Sequence, residues 1–288
     1  MPSPTNPYII GKPVTGPQFF GRESAVQAIE YILRPPSRTS VIVFGQRKIG
    51  KTSFLLHLTK VLKSPFFPIY VDLAGRASQP LAQVLFQMAT AAADRAGLDS
   101  PSLSDFLHNP DFFHLEFMPA LYQTLDEQVQ PTFLLDEFES VDTPASQLPD
   151  NAAGRLLPDY LHKLLAGPHS LSFVFTAGRR MNELSGVGRT GTYARLNQYL
   201  SVLTPAQARR LILKPDGPAY ESAALHRIID VTRGHPYLIQ TLCHTIFEDT
   251  REHYPAKITV REVKTAVERL LERHDSGLFL IWESIPPA

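Results

Sequence analysis

The sequence predicts an α/β fold in which a parallel sheet carries helices on both faces and is followed by an all-helical domain. The main evidence is a series of short apolar runs, typical of strands buried on both faces of a sheet, at residues 40–44, 67–73, 132–135, 171–176 and, more weakly, 198–203. Segments with helical spacing of apolar residues separate the runs. Strands that alternate with helices form a parallel sheet with helices packed on it. After residue 203 only helical signals follow.

The N-terminal residues 1–20 predict an extended arm, because they contain five prolines and two glycines. A helix is expected to begin near Gly21-Arg22-Glu23 and to end at about Leu33. The apolar run Ser40 to Phe44, bounded by Gly45, is the first predicted strand.

The C-terminal part predicts four helices, at about residues 205–213, 220–232, 236–253 and 260–273. Two of them begin with a capping box, in which a threonine is followed three residues later by Gln or Glu: Thr204 with Gln207, and Thr259 with Glu262. We therefore predict an α/β domain over 21–204 and a helical domain over 205–275. The apolar segment 276–288 fits either the start of a further, truncated domain or a docked tail.

Composition and charge exclude several classes of protein. The 288 residues are 43% apolar and 19% charged, which excludes a disordered, collagen-like or disulfide-stapled chain. Lys and Arg together number 28, as do Asp and Glu, so the basic surplus of a nucleic-acid-binding protein is missing, and we do not expect nucleic acid as a partner. A local basic patch is compatible with this balance. Cys243 is the single cysteine and no run of 18 apolar residues occurs, so we expect a cytoplasmic protein without a membrane partner.

The strongest motif is a phosphate loop that follows the first predicted strand and matches the pattern G-x-x-x-x-G-K-[ST]. In this loop, backbone N–H groups and a helix N-terminus surround phosphate oxygens. Lys51 is placed to reach the β and γ phosphates, and the Thr52 hydroxyl to bind Mg²⁺. The motif predicts the three-layer P-loop nucleoside triphosphatase fold. We assign nucleotide binding to Gly45, Gln46, Arg47, Lys48, Ile49, Gly50, Lys51, Thr52 and Ser53.

A second motif is the strand Thr132 to Leu135, which ends in two carboxylates. Ligands of parallel sheets bind at the carboxyl ends of the strands, where Asp136 is expected to hold Mg²⁺ directly or through water. Glu137 is expected to orient and deprotonate the attacking water, so that the nucleotide is hydrolysed.

A third segment, Leu171 to Arg180, ends in a hydroxyl and two arginines. Thr176 or Arg179 is a candidate for contact with the γ phosphate, where a guanidinium would detect it. The alternative is that the arginines are surface residues at the start of the next helix. If one of them is the sensor, either Arg179 or Arg180 fits.

Four segments together resemble the STAND class of signal-transduction ATPases, which are ASCE-division, AAA+-related P-loop proteins that include archaeal-type ATPases. The segments are Phe19 to Glu23, the phosphate loop, Phe133 to Glu137, and Gly234-His235-Pro236, and the match spans about residues 7–275. The resemblance implies that Phe20 and Arg22 border the adenine and ribose, and that Pro236 packs on the nucleotide from a helical lid.

The resemblance also implies partners and cofactors. ATP or ADP with Mg²⁺ is the expected ligand, a homo-oligomer in the ATP state is compatible with the class, and effector or sensor domains would follow, the first a winged helix begun by residues 276–288. Ala25 stands where the class often has Glu, and Ala177-Gly178 separate Thr176 from the arginines. These two contacts therefore depart from the pattern of the class.

Three functions compete. The first is an ATPase that acts as a signalling switch, in which the nucleotide state sets the orientation of the lid, and this is the main prediction. The second is an AAA+-like ATPase that acts on DNA, of the origin-binding or loader type. The third, phosphoryl transfer to a small molecule, is disfavoured because Glu137 points to water as the acceptor.

Overall fold

The computed structural model describes residues 5–109, 111–141, 147–178, 194–214, 216–251 and 256–272. The chain divides into two compact units. The sheet unit comprises Ala25–Gly45 and Leu55–Tyr199, and the helical unit comprises Met1–Ser24, Gln46–Phe54 and Leu200–Ala288. The domain boundaries expected from the sequence stay predictions, and the segment 276–288 lies outside the described residues.

The sheet unit contains a five-stranded sheet in which all neighbouring strands are parallel, as predicted. The strands are β1 (Arg38–Phe44), β2 (Phe66–Asp72), β3 (Gln130–Asp136), β4 (Leu171–Ala177) and β5 (Ala194–Tyr199). Their order across the sheet is β2-β3-β4-β1-β5. β3 and β4 are buried along their whole length, which explains their continuous apolar runs.

The register of the sheet aligns the carboxyl ends of β1 to β4, two of which end in an aspartate. Asp72 of β2 pairs with Asp136 of β3, and Phe44 of β1 pairs with Ala177 of β4. Because the strands are parallel, their carboxyl ends lie at the same edge, and the chain leaves β1 for Gly45 at that edge.

The last predicted strand is displaced. The prediction was 198–203, whereas β5 is Ala194–Tyr199, so residues 200–203 lie beyond it. Leu203 is apolar because it belongs to the core of the helical unit. β5 is an edge strand that leaves Asn197 and Tyr199 exposed, so its apolar pattern is weak.

Helices cover both faces of the sheet. They are α1 (Glu23–Leu33), α2 (Lys51–Val61), α3 (Leu81–Ala96), α4 (Leu103–His108), α5 (Met118–Thr124) and α6 (Ala153–Ala166). Phe133 and Phe173 point from one face into a core shared with α3, α5 and α6. On the opposite face, the Gln130 amide donates to the carbonyl of Leu33, the last residue of α1, at 3.3 Å, and to Ser172 Oγ at 2.5 Å.

The helical unit contains the four predicted C-terminal helices, α7 (Pro205–Ile212), α8 (Ser222–Thr232), α9 (Pro236–Thr250) and α10 (Val260–Glu272). The predicted capping box of Thr204 and Gln207 is present at the start of α7. Cys243 is fully buried in the core of this unit and is a free cysteine. Across the described ranges, none of the helices combines the length and the apolar character that crossing a membrane requires.

The N-terminal segment packs into the core of the helical unit, a placement that the sequence did not predict. Tyr8 is 2% exposed. Its hydroxyl donates to the Ile212 carbonyl at 2.7 Å and shares a hydrogen bond with the Tyr220 hydroxyl at 2.9 Å. The Lys214 ammonium donates to the Pro7 carbonyl at 2.6 Å. These bonds fasten the segment at the end of α7.

Candidate functional site

The phosphate loop contains a compact turn whose backbone conformation requires the glycine at position 50. The Ile49 N–H donates to the Gln46 carbonyl at 3.3 Å, and the Phe54 N–H donates to the Gly50 carbonyl at 2.9 Å in the first turn of α2. Lys48 has φ of 61° and Gly50 has φ of 101°. The Gly50 conformation is one that residues with a side chain rarely adopt, so the motif's second glycine is required by the backbone.

The lysine of the motif lies against this loop. Lys51 is 7% exposed, and its ammonium donates to the Gln46 carbonyl at 3.5 Å. Thr52 is half-buried on the first turn of α2. The Ser53 hydroxyl accepts a 2.9 Å hydrogen bond from the Val14 N–H, so this predicted nucleotide ligand is engaged with the N-terminal segment.

The Gly-Arg-Glu segment meets the phosphate loop within the helical unit. Arg22 is 8% exposed and donates to the Ile49 carbonyl at 3.4 Å. Burial lowers the pKa of Arg22, and the nearby charge of Glu23 partly offsets that effect. Phe20 is half-buried, with the Arg210 guanidinium 5.4 Å from the centre of its ring.

The Gly234-His235-Pro236 segment reaches the same loop. Pro236 is the first residue of α9, and the His235 ring is 3% exposed. Burial lowers the pKa of His235 to about 4; the Arg47 backbone acts in the opposite direction, and the Arg22 charge lowers the pKa further. Tyr237, on the first turn of α9, has the Lys48 ammonium 5.5 Å from its ring centre. The helical unit therefore brings together three segments that are far apart in the sequence.

In the sheet unit, Asp136 is held by three hydrogen bonds. Its carboxylate is 1% exposed and accepts from the Thr176 hydroxyl at 2.5 Å, the Tyr70 hydroxyl at 3.0 Å and the Glu137 N–H at 3.1 Å. Alternation along the strands explains the cluster, because these side chains point to the same face from β2, β3 and β4. Asp136 is therefore fixed at the carboxyl edge of the sheet.

Thr176 also fixes the second carboxylate residue. Its hydroxyl accepts a 2.9 Å hydrogen bond from the Glu137 N–H, and Glu137 has φ of 54°, in the left-handed region. The Thr176 hydroxyl, expected from the sequence to reach the γ phosphate, thus donates to Asp136 and positions Glu137. A direct phosphate contact stays a prediction.

Two residues of this cluster were not predicted. Tyr70 lies two positions before Asp72, which pairs with Asp136 in the sheet. Only this strand register could have indicated that Tyr70 lies close to Asp136. Burial raises the pKa of Tyr70, and the Asp136 charge and hydrogen bond add to that effect. The Glu139 carboxylate accepts a 2.7 Å hydrogen bond from the Gly178 N–H. Arg179 and Arg180 lie outside the described residues.

A magnesium ion is compatible with the donor types present. Mg²⁺ prefers oxygen ligands, and the predicted pair, the Thr52 hydroxyl and the Asp136 carboxylate, supplies them. Over the part of the chain that the structure describes, no cluster of three or more His, Cys, Asp or Glu side chains could hold a metal by itself. Thr52 and Asp136 are therefore each of a donor type that suits Mg²⁺, and their joint role stays a prediction.

The fold is that of known P-loop ATPases. The Walker-type ATPase of Pyrococcus abyssi superposes with a TM-score of 0.66 at 14% identity, covering 94% of this chain and 77% of that chain. The ADP form of the Aeropyrum pernix Orc2 protein gives 0.62 at 15% identity, covering 88% and 70%. The Aeropyrum pernix Orc1 protein in complex with DNA gives 0.56 at 14% identity, covering 88% of this chain and 66% of that chain.

At these identities the similarity shows the fold alone, and the chain spans about two thirds of the Orc1 protein's length. No family model and no curated protein matches the sequence. The predicted P-loop fold with a helical domain is confirmed. The assignment to the STAND class is not confirmed. The expectation that nucleic acid is not a partner is not supported, because the Orc1 structure contains DNA.

Proposed function

We propose that the chain is an ATPase module that binds ATP with Mg²⁺ and hydrolyses it. The observation that carries this proposal is the phosphate loop, with its compact turn at Gly50 and with Lys51 lying against it. Backbone N–H groups of the loop would bind phosphate oxygens, and Lys51 would neutralise the charge of the β and γ phosphates. Thr52 and Asp136 would hold the Mg²⁺, which when bound neutralises charge on the phosphates.

The carboxylate pair supplies the hydrolytic chemistry in this proposal. Asp136 is held in place by hydroxyls from the strands on either side of β3. Glu137 follows it and is half-buried, and in this proposal its carboxylate orients the attacking water and accepts its proton. The hydrogen bond from the Glu137 N–H to Thr176 fixes the backbone from which this carboxylate extends. Arg179 or Arg180 would contact the γ phosphate.

For the biological role, action on DNA has more support than the signalling switch predicted first. The Orc1 protein, which has the same fold, is described in complex with DNA. The zero net charge argues only against a strong, nonspecific affinity for DNA, because a local basic patch is compatible with a balanced total. We therefore propose an AAA+-like ATPase whose turnover responds to DNA.

The STAND-type switch is the second candidate. The observation that favours it is the contact between the phosphate loop and the first turn of α9, formed by Lys48 and Tyr237. A switch of this kind requires ATP and ADP to differ in affinity for two conformations, because a ligand with equal affinity for both shifts neither population.

ATP turnover with and without duplex DNA separates the two roles. Phosphate release is measured at about 50 and 200 mM salt, because phosphate contacts weaken steeply over that range. The DNA-acting proposal predicts stimulation that falls with salt, and the Lys51→Ala variant is the control for contaminating ATPases. Turnover that is present but unaffected by DNA at either salt concentration would favour the switch.

A further inference from the structure

His235 is a buried histidine whose ring nitrogens have no geometrically sound hydrogen bond within the described residues, although the Arg47 backbone lies close to the ring. Its ring is 3% exposed, and among the described residues neither Nδ1 nor Nε2 has a partner of acceptable geometry. Buried polar groups in native proteins are almost always paired, because an unpaired group loses its hydration and gains nothing in return. The Arg47 backbone of the phosphate loop lies close enough to this ring to act on its pKa, so the ring lies next to a phosphate-binding element.

Arg22 adds an undersatisfied cation at the same place. It is 8% exposed, and its one hydrogen bond within the described ranges, to the Ile49 carbonyl, is long at 3.4 Å. A guanidinium carries several N–H donors and stays charged. Within the described residues, the Ile49 carbonyl is the one acceptor that Arg22 reaches, so most of its donors are left without a protein acceptor there. The guanidinium lies close enough to His235 for its charge to act on the ring. A single negatively charged acceptor could accept hydrogen bonds from both side chains.

We propose that His235 and Arg22 form an anion subsite beside the phosphate loop, and that the subsite takes an oxygen of the nucleotide's phosphate chain. Arg22 supplies the charge and a ring N–H of His235 supplies a directional donor. This role differs from the one implied by the family resemblance, in which Arg22 borders the base and Pro236 alone acts from its motif. The inference rests on the proposed ATP binding for the identity of the ligand.

The subsite predicts different effects on phosphate-containing and phosphate-free ligands. Binding of ATP, pyrophosphate and adenosine is measured by calorimetry for the wild-type chain and for His235→Leu and His235→Gln. Leu fills the space without a donor, whereas Gln keeps one. His244→Leu is the matched control, because it makes the same change within α9, which His235 directly precedes, at a half-buried position.

We expect His235→Leu to weaken ATP and pyrophosphate binding by about tenfold or more, the effect of losing a charge-assisted hydrogen bond. Adenosine affinity should stay unchanged, His235→Gln should lose less, and His244→Leu should match the wild type. The melting temperature of ligand-free His235→Leu should not fall, because the unpaired ring nitrogens are removed.

Unchanged ATP and pyrophosphate affinities in His235→Leu would overturn the subsite. So would weaker binding accompanied by a lower melting temperature and no recovery in His235→Gln, since that pattern marks a structural residue. A wild-type chain that binds pyrophosphate in a His235-dependent way but not ATP would support the subsite and contradict the proposed function. A chain that binds none of the three ligands would contradict both.

Discussion

The Thr176 hydroxyl donates a 2.5 Å hydrogen bond to the Asp136 carboxylate, which joins the ends of β4 and β3 at the edge where parallel sheets bind their ligands. Both side chains are fully or almost fully buried. Because these contacts hold the carboxylate in place, an ion that binds Asp136 must bind at the position that the carboxylate already has. This rigidity is the basis for the role we give to Thr176.

Thr176→Val should lower ATP turnover by about tenfold and raise the Mg²⁺ concentration needed for half-maximal rate. The substitution keeps the shape of the side chain and removes the hydroxyl that positions both Asp136 and Glu137. A magnesium titration of initial rates measures both effects. Thr176→Ser, which retains the hydroxyl, is the control, and a Val variant with wild-type magnesium dependence would remove the positioning role.

Gly234→Ala should destabilise the helical unit by about 1–3 kcal/mol or more. Gly234 has φ of +75°, and a Cβ there would lie 2.3 Å from the Leu203 carbonyl oxygen. Gly11 has nearly the same φ, +74°, but no atom within 4 Å of its Cβ position, so Gly11→Ala isolates the backbone cost. Denaturant unfolding should show a larger decrease in the free energy of unfolding for Gly234→Ala than for Gly11→Ala. Equal decreases would show that the close contact with Leu203 is unimportant.

Tyr8→Phe should lower the free energy of unfolding by about 1–2 kcal/mol, because the Ile212 carbonyl and the Tyr220 hydroxyl lose a buried partner. Tyr31→Phe removes the same atom from a side chain that is 77% exposed and should change little. Chemical denaturation compares the two. Equal stability of both variants with the wild type would mean that the hydrogen bonds of the Tyr8 hydroxyl contribute nothing to stability.

Acid should destabilise the protein in part through His235. The folded-state pKa of about 4 lies below the usual 6.5, so the ring folds in its neutral form. The stabilisation is complete above pH 6.5 and is lost as pH falls toward 4, to a total of roughly 3 kcal/mol. The unfolding free energy of the wild type should fall relative to that of His235→Gln as the pH is lowered from 7 to 4.5. A constant difference over that range would contradict a buried neutral ring.

The sequence predicted the sheet well, because β1, β3 and β4 lie inside the sheet and are largely buried, and because the run that forms β2 is apolar up to Val71. It placed β5 four residues too late, since an edge strand needs little apolar character and Leu203 belongs to a different core. Tyr70 could not be found without the register that pairs Asp72 with Asp136. The packing of Tyr8 depends on contacts with residues about two hundred positions away, which no local pattern encodes.

ATP binding by the wild-type chain, measured by calorimetry in Mg²⁺ beside the Lys51→Ala and Glu137→Gln variants, tests the central claim most directly. We predict that the wild type binds and cleaves ATP, that Lys51→Ala does not bind it, and that Glu137→Gln binds it without cleaving it. Equal ATP affinity of the wild type and Lys51→Ala, or no binding by the wild type, would contradict the claim that this loop holds a nucleotide.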